Sequence, residues 1–297
     1  MSRQPRLAVT LGDPRGIGPE IVAKMLRDGR GPGAASLVIV GPSGTEVDVH
    51  ESVGDWHAGD DPARAGALAG KQIERAVKLA KSGYVEGIVT APIDKSVLLS
   101  GGYDFPGHTE MLAKLTDAKV AMMLASPTLR VVLATAHIPL REVPTALTRA
   151  RIVQTAATTR EGLREWFGIA NPRLALCALN PHAGDHGRFG SEDDDLLAPA
   201  ARDAGMSGPF SADTVFVRAM RGEFDAVVAP YHDVGMTAIK VAAFGHAVNV
   251  TLGLPFPRTS PDHGTALDIA SKGIADASSM IEAVLLCASI AVRIRPA

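Results

Sequence analysis

Short runs rich in Val, Ile, Leu and Ala alternate with longer amphipathic stretches along the whole chain, and this restricts it to an α/β fold. The strand candidates are 7–11, 36–40, 87–90, 120–124, 130–134, 174–178, 226–229 and 247–252. They show little polar–apolar alternation, which suits parallel strands covered on both faces. The helix candidates are 19–26, 62–81, 108–116, 148–166, 192–204 and 275–292. Pro19 stands where a first-turn proline is tolerated, and Glu20 beside it suits the positive end of a helix dipole. Such alternation predicts mostly parallel sheets with right-handed crossovers. The stretch 41–61, rich in Gly, Ser, Asp and Glu, reads as loop. No internal repeat or low-complexity tract interrupts the pattern.

At 297 residues and roughly 150 residues per domain, two domains are expected, although no linker marks a border. A hydrophobic content of 46% supplies ample core. The net charge of −2 argues against nucleic-acid or membrane-surface partners, which need a basic face. No apolar run reaches the ~18–20 residues of a membrane span. The start, MSRQPRLAVTLGD, enters a strand pattern without a signal-peptide core, so the cytoplasm is the expected location. Cys177 and Cys287 are too few and too isolated for a disulfide framework or a thiolate metal cage.

The chemistry gathers in a few segments, most densely in 230–270. After the first strand, TLGDPRGIGPE places Gly12, Gly16 and Gly18 in a turn that feeds a helix and lets a ligand approach the backbone. The same glycines equally fit a plain strand–helix turn, and the pattern is neither a Walker loop nor a GxGxxG fingerprint. His137, His182 and His232 each follow a strand candidate. Ligands collect at the carboxyl ends of parallel strands, and three imidazoles with open positions describe a catalytic site for a divalent cation such as Zn²⁺ or Co²⁺. A lone strand-end histidine is more often structural. Asp213 and Asp233 are candidate acids or bases, or else a helix cap and a turn residue. Lys240, Asn249 and Arg258 could clamp an anion. His108 and Thr109 open a helix and could add contacts there, with a plain N-cap as the bland reading of Thr109. His186 and His246 read as exposed loop residues.

The motifs GDPRGIGPE, PGHTE, TAHIPL, LNPHAG, GPFSADT, YHD with a later IK, and VNVTLGLPFPRTSPDHGTA run in order over nearly the whole chain. Together they resemble the 4-hydroxythreonine-4-phosphate dehydrogenase family, kin of the isocitrate and isopropylmalate dehydrogenases. The resemblance implies two α/β domains, with mostly parallel sheets flanked by helices and an active-site cleft between them. We expect the first domain at 1–104 plus 268–297 and the second at 105–267, carrying the metal and substrate residues and the dimer interface. It implies metal ligation by His137, His182 and His232 in sites shared across a homodimer. Substrate contacts are implied for His108, Thr109, Lys240, Asn249 and Arg258. By analogy with isopropylmalate dehydrogenase, His263, Gly264, Thr265, Ala266 and Asp268 would hold the adenosine. A carboxylate at Asp268 would repel a 2′-phosphate, favouring NAD over NADP.

The implied reaction is metal- and NAD-dependent oxidation of 4-phosphooxy-L-threonine to a 3-keto acid, which decarboxylates to 3-amino-2-oxopropyl phosphate for pyridoxal phosphate synthesis. Zn, Mg, Co or Mn would serve as the metal, and Asp213, Asp233 or Lys240 as the base. The chain departs from the family pattern in three places. Val234 stands where many members have glutamine, Arg15 where a small residue is common, and the stretch 41–61 is short. The alternatives are the same chemistry on 4-phospho-threonate, 4-phospho-erythronate or a cis-dihydrodiol dicarboxylate, a phosphate acyltransferase-like activity, or a non-catalytic ligand-binding relative.

Overall fold

The computed structural model describes residues 3–243 and 245–295. The chain forms two compact units. The first opens with β1 (Arg6–Thr10), α1 (Gly18–Asp28), α2 (Arg30–Ala34), β2 (Ser36–Ser43), β3 (Glu51–Asp55), α3 (Pro62–Lys81), β4 (Gly87–Thr90), α4 (Lys95–Ser100) and α5 (His108–Thr116). The second unit, Val120–Ala247, holds β5 (Ala121–Ala125), β6 (Arg130–Leu133), α6 (Val143–Ala146), α7 (Arg149–Glu165) and β7 (Leu174–Cys177). It continues with α8 (Ala198–Asp203), β8 (Ser207–Phe210), α9 (Ala212–Met220), β9 (Ala226–Ala229) and α10 (His232–Ala243). The chain then returns to the first unit with β10 (Val248–Leu252), β11 (Arg258–Pro261) and α11 (Ser278–Arg293). No helix among the described residues is long and apolar enough to cross a membrane.

In the first unit the strands lie in the order β3-β2-β1-β4-β11-β10. All neighbours run parallel except β10 against β11. In the second the order is β5-β6-β9-β7-β8, parallel except β5 against β6. The expected mostly parallel α/β architecture is therefore present in both. Central strands such as β1, β4, β7 and β9 are buried almost throughout, which is why they read as continuous apolar runs. In the second unit Val131, Leu133, Ala175, Val227 and Ala229 pack with Val215 and Phe216 of α9 and Ile239 of α10.

Where the structure departs from expectation, a local cause is visible. The units change over at Lys119/Val120 and Ala247/Val248, whereas the sequence expectation set the breaks after 104 and 267. The first unit retains α5 because it packs on α3, and β11 because it pairs with β4. The stretch read as loop holds the end of β2 and all of β3, an edge strand whose ESVGD sequence carries no apolar pattern. Strands β8 (SGPF) and β11 (RTSP) were likewise hidden by proline and polar residues. Helix α10 was obscured by Gly235, whose missing side chain lets the helix sit on the sheet. A Cβ there would lie 2.8 Å from Val131. The helix expected over 192–204 is a π-turn, Asp193–Leu197, followed by α8.

Candidate active site

In the first unit the β1–α1 turn is fastened on every side. Gly12 has a φ of +71°, and a Cβ would meet the Pro92 carbonyl. Its N–H donates to Gln72 Oε1 at 3.0 Å, and Gln72 Nε2 donates back to its carbonyl at 2.8 Å. Gly16 lies so close to Thr265 that a Cβ would fall 2.8 Å from the Thr265 carbonyl, and Ile17 N–H donates to that carbonyl at 3.0 Å. Gly18 opens α1 against the Leu11 carbonyl. The two segments predicted to hold the cofactor thus touch each other. His263 Nδ1 lies 3.1 Å from the Gly264 carbonyl, while its Nε2 is buried without a partner among the described residues. Gly264 and Asp268 are exposed, and Ala266 adopts a φ of 42°. A glycine turn sealed onto this loop, with an unsatisfied ring nitrogen beside it, fits a nucleotide site.

The same unit carries a group of buried polar side chains. Arg258 is only 2% exposed. Its guanidinium donates to Thr251 Oγ1 at 2.9 Å and Thr90 Oγ1 at 2.5 Å, leaving Nε unsatisfied. Burial pushes its pKa down to about 10, against the opposing pull of Cys287 and Glu110. Burial, then the charges of Arg258 and Lys95, hold His108 well below the ordinary histidine range, so its ring is neutral. His108 Nε2 and Asn249 Oδ1 are further buried atoms without partners. Buried polar groups are nearly always satisfied, so orphaned donor and acceptor atoms on three candidate substrate residues fit a polar ligand that both donates and accepts. His108 and Thr109 lie in the first turn of α5 behind Gly107, which caps no amide with a side chain; Thr109 is therefore not the N-cap.

The histidines belong to the second unit. His137, His182 and His232 follow β6, β7 and β9, and in the sheet these neighbours run parallel in the order β6-β9-β7. The His137 and His232 ring centroids lie 5.4 Å apart. Asp233 Oδ1 lies 2.6 Å from His232 Nδ1, a bond that orients the ring and leaves Nε2 for a metal. This pair fits part of an imidazole site. His182 does not join it within one chain, and among the described residues no three His, Cys, Asp or Glu side chains group as a metal site. Instead the His182 ring neighbours Phe189 at 6.5 Å. His182, Ala183, Gly184, Asp185, His186 and Gly187 all have positive φ, six residues in a row. For Ala183, which has no polar side chain to favour it, that conformation costs about 1–2 kcal/mol.

The remaining candidates are distributed over two helices. Asp213 is exposed in the first turn of α9 behind Ser211, so it is not the cap residue itself. Asp233 is exposed in the first turn of α10, and Lys240 is half-buried in its last turn. His186 and His246 are exposed, as expected. Arg15 is tied to buried Asp13 at 2.7 Å and to Asp94 at 3.3 Å, and the Asp13 bond holds its pKa above the usual value. Gln72 and Asp193 are supporting residues that motif reading missed. Gln72 had a signal, as a lone amide on the apolar stripe Ala65, Leu68, Ala69, Ile73 and Ala76 of α3.

Strand-end imidazoles and a cluster of buried, partly unsatisfied polar groups are what an α/β enzyme would carry. The family model described as pyridoxal phosphate biosynthetic protein PdxA matches residues 27–287. A 4-hydroxythreonine-4-phosphate dehydrogenase of Caulobacter vibrioides is 42% identical, over 97% of this chain and 98% of that one. A Bradyrhizobium diazoefficiens protein, provisionally named a D-threonate 4-phosphate dehydrogenase, is 41% identical over 94% of each. The crystal structure of the Klebsiella pneumoniae 4-hydroxythreonine-4-phosphate dehydrogenase superposes with a TM-score of 0.85 at 38% identity, over 98% of this chain and 99% of that one. The chain belongs to the PdxA family.

Proposed function

We propose that this dehydrogenase oxidises the secondary alcohol of 4-hydroxythreonine 4-phosphate with NAD and a divalent metal. The 3-keto acid formed then loses CO₂ to give 3-amino-2-oxopropyl phosphate, a pyridoxal phosphate precursor. The observation that carries the reading is the set of buried, unpartnered polar atoms Arg258 Nε, His108 Nε2 and Asn249 Oδ1. Arg258 would bind the substrate's anionic end, Asn249, His108 and Thr109 would add polar contacts, and Lys240 would be a further substrate residue. Arg258 keeps its charge at neutral pH even when buried, so its attraction for an anion is strong and weakly screened. Binding energy spent there orients the reacting carbon.

Bound NAD would supply the hydride acceptor, and a bound Zn, Mg, Co or Mn ion would supply Lewis acidity at the reacting hydroxyl. His137 and His232 would be two of the metal ligands, and His182 of a second subunit the third. The active form is then a homodimer in the cytoplasm. An apolar groove of ≈ 580 Å³ between α9 and α10, with Val241 84% and Met220 41% exposed, supports such an interface. Asp213, Asp233 and Lys240 are the groups available to take the hydroxyl proton. The Gly12–Gly18 turn and His263–Asp268 would position the dinucleotide, with Asp268 disfavouring NADP.

The test is NADH formation from purified protein, metal and 4-hydroxythreonine 4-phosphate, abolished by excess chelator and restored by metal. The 41% identity to the Bradyrhizobium protein, together with Val234 where many members have glutamine, favours a second reading in which D-threonate 4-phosphate is the better substrate. A higher kcat/KM for that compound would replace the first reading. NAD-independent acyl phosphate formation would overturn both.

A further inference from the structure

We propose that Asp193 is a positioning residue that sets the metal affinity of His182 by holding its loop in the left-handed conformation. The inference rests on the metal-ligand reading of His182 proposed above. The Asp193 side chain is fully buried, and it is not itself near enough to other ligating groups to form a metal site among the described residues. Its two carboxylate oxygens accept the N–H groups of Leu179 at 2.8 Å and Asn180 at 2.9 Å, the residues that lead from β7 into the His182 turn. Asn180 Nδ2 donates to Glu192 Oε2 at 2.9 Å, so the neighbours of Asp193 grip the same point.

From that anchor the chain winds through six positive-φ residues, closed by Ala183 N–H to the Asn180 carbonyl at 3.2 Å and Phe189 N–H to the Gly184 carbonyl at 3.0 Å. Ala183 gains nothing local from a left-handed backbone, unlike glycine. Backbone strain of this kind persists only where the surroundings over-determine it, and it gathers at functional sites. The surroundings here are the Asp193 carboxylate and the Gly184 approach, where a Cβ would lie 3.1 Å from the Gly190 carbonyl and 3.6 Å from Asp193 Cβ. Released from Asp193, the turn would relax toward ordinary φ values and carry the His182 ring with it. That ring is exposed and lies 6.5 Å from the Phe189 ring, so little packing resists the movement.

The experiment titrates Co²⁺ into metal-free full-length protein, following its visible absorption and checking stoichiometry by elemental analysis. Asp193→Asn is expected to weaken Co²⁺ binding at least tenfold at temperatures where circular dichroism shows the variant folded. Ala183→Val, on a half-exposed loop position, should weaken it similarly without unfolding the chain, because a β-branched residue resists positive φ. Ala183→Gly placed in the Asp193→Asn background should recover part of the loss. A purely structural role for Asp193 would lower the melting temperature and leave the Co²⁺ titration unchanged. Binding within twofold of the native protein in both Asp193→Asn and Ala183→Val, while His182→Ala loses the metal, overturns this inference alone. If Asp193→Asn fails to fold, Ala183→Val decides. Retention of metal by His182→Ala overturns the inference and the ligand reading together.

Discussion

The turn after β1 and the turn after β7 both lift candidate binding groups off the carboxyl end of a parallel strand, yet they are held by different means. The first is built from glycine and proline and locked by buried Gln72 and by Thr265, with no room for side chains at Gly12, Gly16 or Gly18. The same unit holds the buried Arg258 guanidinium and the unsatisfied His108 Nε2. The second turn is exposed, carries side chains at left-handed positions and hangs from one buried carboxylate. In the first region, binding and folding share the same atoms. In the second they are largely separable, so substitutions in the two places should divide stability from function differently.

The largest effect should come from Arg258→Met. A buried guanidinium whose pKa has fallen to about 10 is held less well by the folded chain than by the unfolded one. That is a cost on the order of 3 kcal/mol at neutral pH. An apolar side chain of similar size should raise the melting temperature, as replacements of buried charges often do by about 1–4 kcal/mol. The Michaelis constant for the phosphorylated substrate should rise at least tenfold. A lower melting temperature would instead show that the Thr90 and Thr251 bonds outweigh desolvation. Next, Gly16→Ala should destabilise by about 1–3 kcal/mol through overlap with Thr265 and weaken NAD binding with it. An unchanged NAD affinity would uncouple packing from binding at that turn.

A smaller effect follows from His108. Its pKa is depressed in the folded state, so below the ordinary histidine range the unfolded chain takes up a proton that the folded chain refuses. Stability should therefore fall as pH drops from about 6.5, by at most about 1.4 kcal/mol per unit. Replacing the residue with Gln should flatten the melting temperature's dependence on pH below about 6.5. A native and a variant profile that run parallel there would count against the neutral ring. The smallest stability effect belongs to His182→Ala, within about 0.5 kcal/mol because the side chain is exposed. Metal content and turnover should nonetheless be lost.

Much of this frame was legible in the sequence where burial imposes a pattern. Strands β4 and β9 and helices α3 and α5 have the expected limits, and β1, β5, β6, β7 and β10 lie within a residue of theirs. Strands β3, β8 and β11 were not legible, because edge position or a polar, proline-flanked sequence removes the apolar signal. Helix α9 carries the strand-like run Thr214–Val217 within ADTVFVRAM, and α10 carries Gly235, so neither showed helical character. At the site, residue types at strand ends were readable for the His137–His232 pair. The residues that hold the loops were not, since Asp193 acts on backbone N–H groups through a fold that a linear pattern does not display.

The first unit is assembled from both ends of the chain, with Ile17 bonded to Thr265 and the buried Glu20 carboxylate accepting the Ala275 N–H at 2.8 Å. During translation, β1 to β4 must therefore wait for β11 and α11 to leave the ribosome, while the inserted second unit has all its strands much earlier. The turn after β1 gains its bond to Thr265 only once residues 263–268 have emerged, so a chain stalled before them can build the strands that lead to His137, His182 and His232 but not that closed turn.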